Sequence, residues 1–174
     1  KMKKLQSDTD LVYVQPKFLT KKECRHYLKK AIGPTSIERR AFAKDREANN
    51  AYWHKRLVNM TLDPIVNKVK KFLDKKFNLN LEIAEAQLQN WIKGTYGRLH
   101  RHNVDTDPKS VASGYNSLIY LNDDFEGGLF HTEKGIFIKP EPGLLTFFDG
   151  RHVFHGTSEV KKKDRFSLIF WWKR

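Results

Sequence analysis

A chain of 174 residues with 39% apolar content can build one hydrophobic core and is short for two domains of ordinary size. Its single cysteine, Cys24, excludes an internal disulfide or a cysteine-based zinc cluster and suits a reducing, cytoplasmic or otherwise intracellular compartment. The formal charge of +13, from 33 Lys and Arg against 20 Asp and Glu, favours acidic partners, while no apolar run approaches the roughly 20 residues that span a bilayer.

In chain order, Lys1-Met2-Lys3-Lys4 leads into polar Gln6-Ser7-Asp8 and not into a signal-peptide core, so a soluble protein off the membrane is expected. Leu11-Val12-Tyr13-Val14 alternates too little to show one buried face, but its β-branched and aromatic content reads as a short strand that Pro16 ends. Thr20 and Glu23 have capping-box spacing, and Cys24, Tyr27, Leu28, Ala31 and Ile32 recur at helical intervals before Gly33-Pro34. The polar stretch from Thr35 to Asn50 has little periodicity and reads as a loop or an irregular helix. Asp63-Pro64 opens a second helix whose stripe is Ile65, Val66, Val69, Phe72 and Leu73, with Asn78 or Asn80 at its exit.

From Leu81 the pattern changes to short strands at 84–92, 97–102, 115–122, 129–131, 136–139, 144–148 and 166–172. Gly127-Gly128, Pro140-Glu141-Pro142-Gly143 and Asp149-Gly150 punctuate them. Helices first and strands later predict one α+β domain over 1–174, with a helical support region at 1–80 and a sandwich or barrel core at 81–174. Charge follows the same division. Residues 1–90 hold 20 basic and 10 acidic side chains, residues 91–174 hold 13 and 10, so the basic N-terminal half would attract an acidic partner or nucleic acid. A lysine-rich solvated face has the same composition.

The chemistry lies in the second half. His100 and His102 are two apart, so on an extended strand both point to one face and can reach one metal ion, with His155 brought alongside by another strand. Three protein ligands on one face leave open positions for a chelating 2-oxoacid and dioxygen, whereas a structural zinc site is closed by a fourth ligand. His-x-His alone is a weak signal in a chain with 7 histidines. His26 and His54 read as surface or packing residues; His131 and His152 are closer rivals as substrate-facing or supporting groups. Arg165 opens a very apolar strand, where an unpaired charge is costly, and a guanidinium there can grip a carboxylate with two bonds. Ser167 shares its strand face, and Tyr120 offers a phenol on a neighbouring strand.

Taken together, His100-x-x-Asn103, Asp107-Pro108, Tyr115-x-Ser117-Leu118-x-Tyr120-Leu121-Asn122-Asp123-Asp124-Phe125-Glu126-Gly127-Gly128, Lys139-Pro140, Pro142-Gly143, His155-Gly156 and Arg165 form a specific pattern. The segment from about Trp91 to Trp172 resembles the Fe(II)- and 2-oxoglutarate-dependent dioxygenases of the prolyl hydroxylase type, closest to the catalytic domain of collagen prolyl 3-hydroxylases (leprecans). The N-terminal run from Pro16 to Cys24 looks like that family's entry strand and helix. The resemblance implies a double-stranded β-helix (jelly roll) supported by N-terminal helices. It also implies hydroxylation of a protein or peptide residue such as proline, with 2-oxoglutarate decarboxylated to succinate and with ascorbate as an accessory reductant. By position, His100 and His155 would be iron ligands, Arg165 would bind the far carboxylate of 2-oxoglutarate, and Tyr120 and Ser167 would assist. Trp91 and Gly94 look like the Tyr-x-x-Gly element before the site, and Leu129 departs from the acidic residue that often follows Gly-Gly.

His102 stands where the family has an aspartate. Three outcomes follow: His102 binds the metal in a three-histidine set, Asp105 on the following turn reaches it instead, or the pocket persists as a non-catalytic or altered-metal binding module. Replacing a carboxylate by imidazole raises the charge of metal plus protein ligands from +1 to +2, which favours an anionic co-substrate and also suits Zn, Ni or Cu. Nucleic-acid oxidation is suggested by net charge alone, and the run from Arg165 to Trp171 lacks the second arginine associated with nucleic-acid demethylases of this superfamily. A three-histidine thiol dioxygenase would leave Arg165 without a role.

Overall fold

The computed structural model describes residues 2–7, 10–31, 33–40, 52, 54–102 and 114–173. In chain order the strands are β1 (Lys3–Ser7), β2 (Asp10–Gln15), β3 (Ile37–Arg40), β4 (His54–Asn59), β5 (Glu82–Trp91), β6 (Gly97–His100) and β7 (Tyr115–Tyr120). They continue as β8 (Glu126–Gly127), β9 (Phe130–Thr132), β10 (Phe137–Ile138), β11 (Leu145–Asp149), β12 (His155–Thr157), β13 (Val160–Lys161) and β14 (Arg165–Lys173). Among the described residues two helices, α1 (Lys21–Lys30) and α2 (Pro64–Phe77), interrupt the first half.

Both helices begin where local chemistry dictates. Thr20 Oγ1 accepts from the Glu23 amide at 3.2 Å while the Glu23 carboxylate accepts from the Thr20 amide at 2.8 Å, a complete capping box. Asp63 accepts from the Ile65 amide at 3.0 Å ahead of Pro64, and Asn78 closes α2 in the left-handed region at φ 53. Ile65, Val66, Val69 and Leu73 of α2, with Cys24 and Tyr27 of α1, then bury against Ala86, Leu88, Ile119, Leu168, Phe170 and Trp172.

The strands form antiparallel sheets. A major sheet runs β1-β2-β11-β7-β14-β5-β4-β3, a minor sheet runs β10-β9-β12-β6, and β13 pairs with β8. Alternation divides the core between the two faces of the major sheet. On β7, Ile119 joins the helix-side cluster while Leu118 and Tyr120 join Val12, Val14, Phe130, Ile136, Leu144 and Phe148 in a second one. That second cluster draws on both sheets and fills the space between them.

The expectation of a helical region over 1–80 is corrected in one respect: β1, β2, β3 and β4 all join the major sheet. The reason lies in where they sit. β4 buries only Leu57 and Val58, and β3 is the outermost strand, so both are held by backbone pairing and carry charged text that shows no period of two. On β2, Val12 and Val14 do share a buried face, opposite the partly buried Tyr13. Among the described residues no helix is long and apolar enough to cross a membrane. Ile32 and most of the stretch 35–50 read as a loop or irregular helix lie outside the described residues, although 37–40 is strand β3.

Candidate metal centre

β12 and β6 pair so that His155 and His100 are Cα partners, and His102 follows two residues beyond, its amide donating to the Gly150 carbonyl at 2.8 Å. The ring centroids of His100 and His155 are 4.5 Å apart, those of His102 and His155 5.2 Å, and those of His100 and His102 5.5 Å. One nitrogen from each lies within 4.8 Å of the others, which suits a single ion. Gly156 lets the strands approach, since a Cβ there would stand 2.9 Å from the Gly97 carbonyl oxygen.

Tautomers are settled by what the rings touch. His155 Nδ1 lies 2.8 Å from the Val153 carbonyl and His100 Nδ1 lies 3.0 Å from the Arg98 carbonyl. A carbonyl only accepts, so each Nδ1 carries the proton and each Nε2 keeps its lone pair for a metal. Burial, then the neighbouring His100 and His102, hold His155 well below the ordinary imidazole range, and burial lowers His100 as well. Both rings are therefore neutral near pH 7, the form a metal needs. Phe130 and Phe148 pack on the His155 ring at 5.8 and 4.6 Å.

Arg165 opens β14 and is 1% exposed, with its Cζ 5.0 Å from the Trp91 ring and 5.1 Å from the Tyr120 ring. None of the three guanidinium nitrogens makes a well-aligned hydrogen bond to protein, nor do the buried Tyr120 hydroxyl, Ser167 Oγ and Thr146 Oγ1, although the phenol interacts loosely with Arg165 and Thr146. Burial pulls the guanidinium down from its ordinary value, opposed by the adjacent phenol, and pushes Tyr120 up, opposed by Arg165. Ser167 and Tyr120 are Cα partners across β14 and β7, and Thr146 lies on the next strand opposite Leu118. A buried cation beside three orphaned hydroxyls fits a carboxylate that would accept from all of them.

A cavity of about 490 Å³ holds the three histidines with Lys55, Gln89, Trp91, Asn116 and Trp171 among its walls. Sequence reading missed Thr146, Asn116 and Gln89; for Thr146 the signal was a lone polar residue within an apolar run, Leu144-Leu145-Thr146-Phe147-Phe148, whereas Asn116 and Gln89 stand among other polar residues. Trp91, expected just before the site, covers Arg165, and Gly94 takes φ 93 with its amide on the Val160 carbonyl. The rivals fall aside. His152 bonds Asp149 with its side chain 77% exposed, His131 stacks on Phe137, His54 bonds Glu38 and His26 is exposed beside Tyr27. Asp105, Asn103, Asp107 and Pro108 lie outside the described residues.

Comparison with known proteins identifies the family and the fold. Residues 86–173, half of the chain, match the sequence profile of the 2OG-Fe(II) oxygenase superfamily. The fold is shared with an oxidoreductase of the 2OG-Fe(II) oxygenase family from Burkholderia pseudomallei at TM-score 0.72 and 14% identity, covering 93% of this chain and 84% of that one. A viral collagen prolyl hydroxylase from Paramecium Bursaria Chlorella virus-1 gives TM-score 0.64 and 21% identity over 92% and 94% of the two chains. A prolyl hydroxylase from Trichoplax adhaerens, in complex with a hypoxia inducible factor peptide fragment, gives 0.66 and 14% over 95% and 84%. No curated protein matches by sequence. With its jelly-roll sheets and its profile match, the chain belongs to the 2OG-Fe(II) oxygenase superfamily.

Proposed function

We propose that this protein is an Fe(II)- and 2-oxoglutarate-dependent dioxygenase that hydroxylates a residue of a protein or peptide, proline being the first to test. One observation carries the reading: three converging imidazoles line a cavity whose wall residue Trp91 also covers a buried guanidinium without well-aligned protein partners. His100, His102 and His155 would hold iron. Arg165, Ser167, Tyr120 and Thr146 would hold the far carboxylate of 2-oxoglutarate, fixing its oxo-acid end toward the histidines. Bound iron would supply the use of dioxygen, one oxygen atom ending in succinate as 2-oxoglutarate loses carbon dioxide and the other in the hydroxyl group formed at a substrate C–H bond. Phe130, Phe148 and Leu118 give the cavity an apolar wall beside the histidines. The Trichoplax neighbour is described with a peptide, which supports a polypeptide substrate, as does the prolyl hydroxylase likeness that the sequence carries.

A non-catalytic or altered-metal binding module is the second reading, favoured because no described residue lining the cavity is a carboxylate. Succinate release with Fe(II), 2-oxoglutarate and ascorbate, measured on the parent, His102→Ala, His102→Asp and Asp105→Asn proteins, separates the two. The expected result is turnover in the parent and in Asp105→Asn that is lost in His102→Ala. Turnover gained only by His102→Asp would show a disabled triad and establish the second reading. Loss in Asp105→Asn with His102→Ala active would move the third ligand to Asp105.

A further inference from the structure

We propose that the histidine cavity opens into a groove built to hold an extended, acidic polypeptide segment; taking that segment to be the substrate rests on the oxygenase reading above. The cavity shares Lys55, Gln89 and Trp171 with an open groove of about 1360 Å³. It runs over β4 and β5, past Lys173 at the end of β14, to the C-terminal end of α1. A small-molecule site is roughly 300–1,000 Å³, so a groove of this size suits a chain passing the metal centre better than a compact ligand.

Its floor has a repeating chemistry. Trp91 Nε1 donates to Gln89 Oε1 at 2.6 Å, Gln89 Nε2 to Gln87 Oε1 at 2.7 Å, and Gln87 Nε2 to Glu85 Oε1 at 2.5 Å. These side chains stand two residues apart on β5, about 6.8 Å, the repeat at which an extended peptide turns its backbone groups to one side. A glutamine amide has two N–H donors and two acceptor sites, and the ladder uses one of each at half-buried Gln87. The remaining pair can meet backbone of any sequence laid along β5.

Charge then selects among polypeptides. Lys29, Lys55 and Lys173 line the groove, and Lys30 is tied to Asp63 at 2.9 Å. Further in, Arg98 and Arg101 join Lys55, and no described residue lining the inner cavity is Asp or Glu. Acidic side chains on the occupant would find cations from the groove to the metal. A nucleic acid suits the floor less well, because its phosphates recur at every nucleotide and would meet Glu85 and Asp63. A polypeptide can place its amides there and its carboxylates over the lysines.

The test is fluorescence anisotropy on the full chain without iron or 2-oxoglutarate. The probes are a labelled peptide of Glu, Pro and Gly, the same peptide with Lys for Glu, and a single-stranded oligonucleotide of matching charge. The acidic peptide is expected to bind, to weaken with salt, and to lose about tenfold in affinity in the Lys29→Glu/Lys173→Glu double variant. Lys76→Glu, on the exposed end of α2, is expected to leave binding unchanged. An unchanged affinity in the double variant, or an oligonucleotide bound as tightly as the acidic peptide, overturns the proposal. Binding is read without turnover, so its failure is distinct from failure of the oxygenase reading, which succinate release tests.

Discussion

Replacing Arg165 by methionine should leave the ligand-free protein about as stable as the parent and at the same time nearly deaf to 2-oxoglutarate. The guanidinium is 1% exposed and none of its three nitrogens makes a well-aligned hydrogen bond to protein, so the folded chain carries a buried cation at a cost. Exchanging a buried ionic group for an apolar side chain of similar volume is neutral or stabilising by roughly 1–4 kcal/mol. Against that stand two lost ring contacts, to Trp91 and Tyr120, each on the order of 1 kcal/mol when desolvated. The two terms nearly cancel, so the variant should stay within about 2 kcal/mol of the parent, or within about 8 °C at 2–4 °C per kcal/mol for a chain of this length. The parent, with Ni(II) in place of iron to prevent turnover, should gain about 2.7 kcal/mol at a 2-oxoglutarate concentration one hundred times Kd, or about 5–10 °C. Arg165→Met should gain less than about 1 kcal/mol at the same concentration, because removing one partner of a buried charge pair costs about 2–5 kcal/mol, thirtyfold or more in affinity. Thermal melts of both proteins with and without 2-oxoglutarate decide it. A variant more than about 3 kcal/mol less stable than the parent without ligand would show that Arg165 is a structural cation, and a variant stabilised by 2-oxoglutarate as much as the parent would refute the carboxylate assignment.

Three further outcomes follow from particular contacts. Gly150→Ala places a Cβ 2.2 Å from Asn116 Oδ1 and 2.8 Å from His102 Nδ1, so it should displace the His102 ring and weaken Ni(II) binding about tenfold, read by calorimetry. Unchanged metal affinity would mean that His102 is not a ligand. Asp63→Asn weakens the cap of α2 and its ties to Tyr27 and Lys30, a loss of about 1–2 kcal/mol in urea melts at pH 7. For Asp63, burial raises the carboxyl but bonds from Ile65, Lys30 and Tyr27 outweigh it and lower the net value below 3.8, so its stabilisation is present above that pH and lost as pH falls below it. Parent and variant stabilities should therefore converge in acid. Ser117→Ala strips the buried Trp172 indole of its 2.9 Å acceptor and should cost about 1–3 kcal/mol while leaving the response to 2-oxoglutarate intact.

What could be read from the text and what could not divide along a physical line. The Thr20-Glu23 box and the Asp63-Pro64 start were legible because caps are satisfied within a few residues by local side chains. The strands at β5, β7, β11 and β14 were legible because burial on both faces leaves dense apolar runs. β3 and β4 were not, since strands at the margin of the sheet draw their order from neighbours 14 or more residues away, as Arg40 opposite His54 and Asn59 opposite Gln87 show.

The same division holds at the site. The sequence by itself determined the residue types and their register: His100 and His102 share a face because alternate residues on an extended chain do, and His-Gly followed by Arg165 and Ser167 carries the family pattern. Which nitrogen of each imidazole faces a metal was decided only by tertiary structure, through carbonyls at Arg98 and Val153. So were the hydroxyls around Arg165, which are brought together because β11, β7 and β14 lie side by side, and the glutamine ladder along β5 that leads outward. The reason is that ligand chemistry is a property of a side chain, whereas lone-pair direction, desolvation and hydrogen-bond satisfaction are properties of what surrounds it.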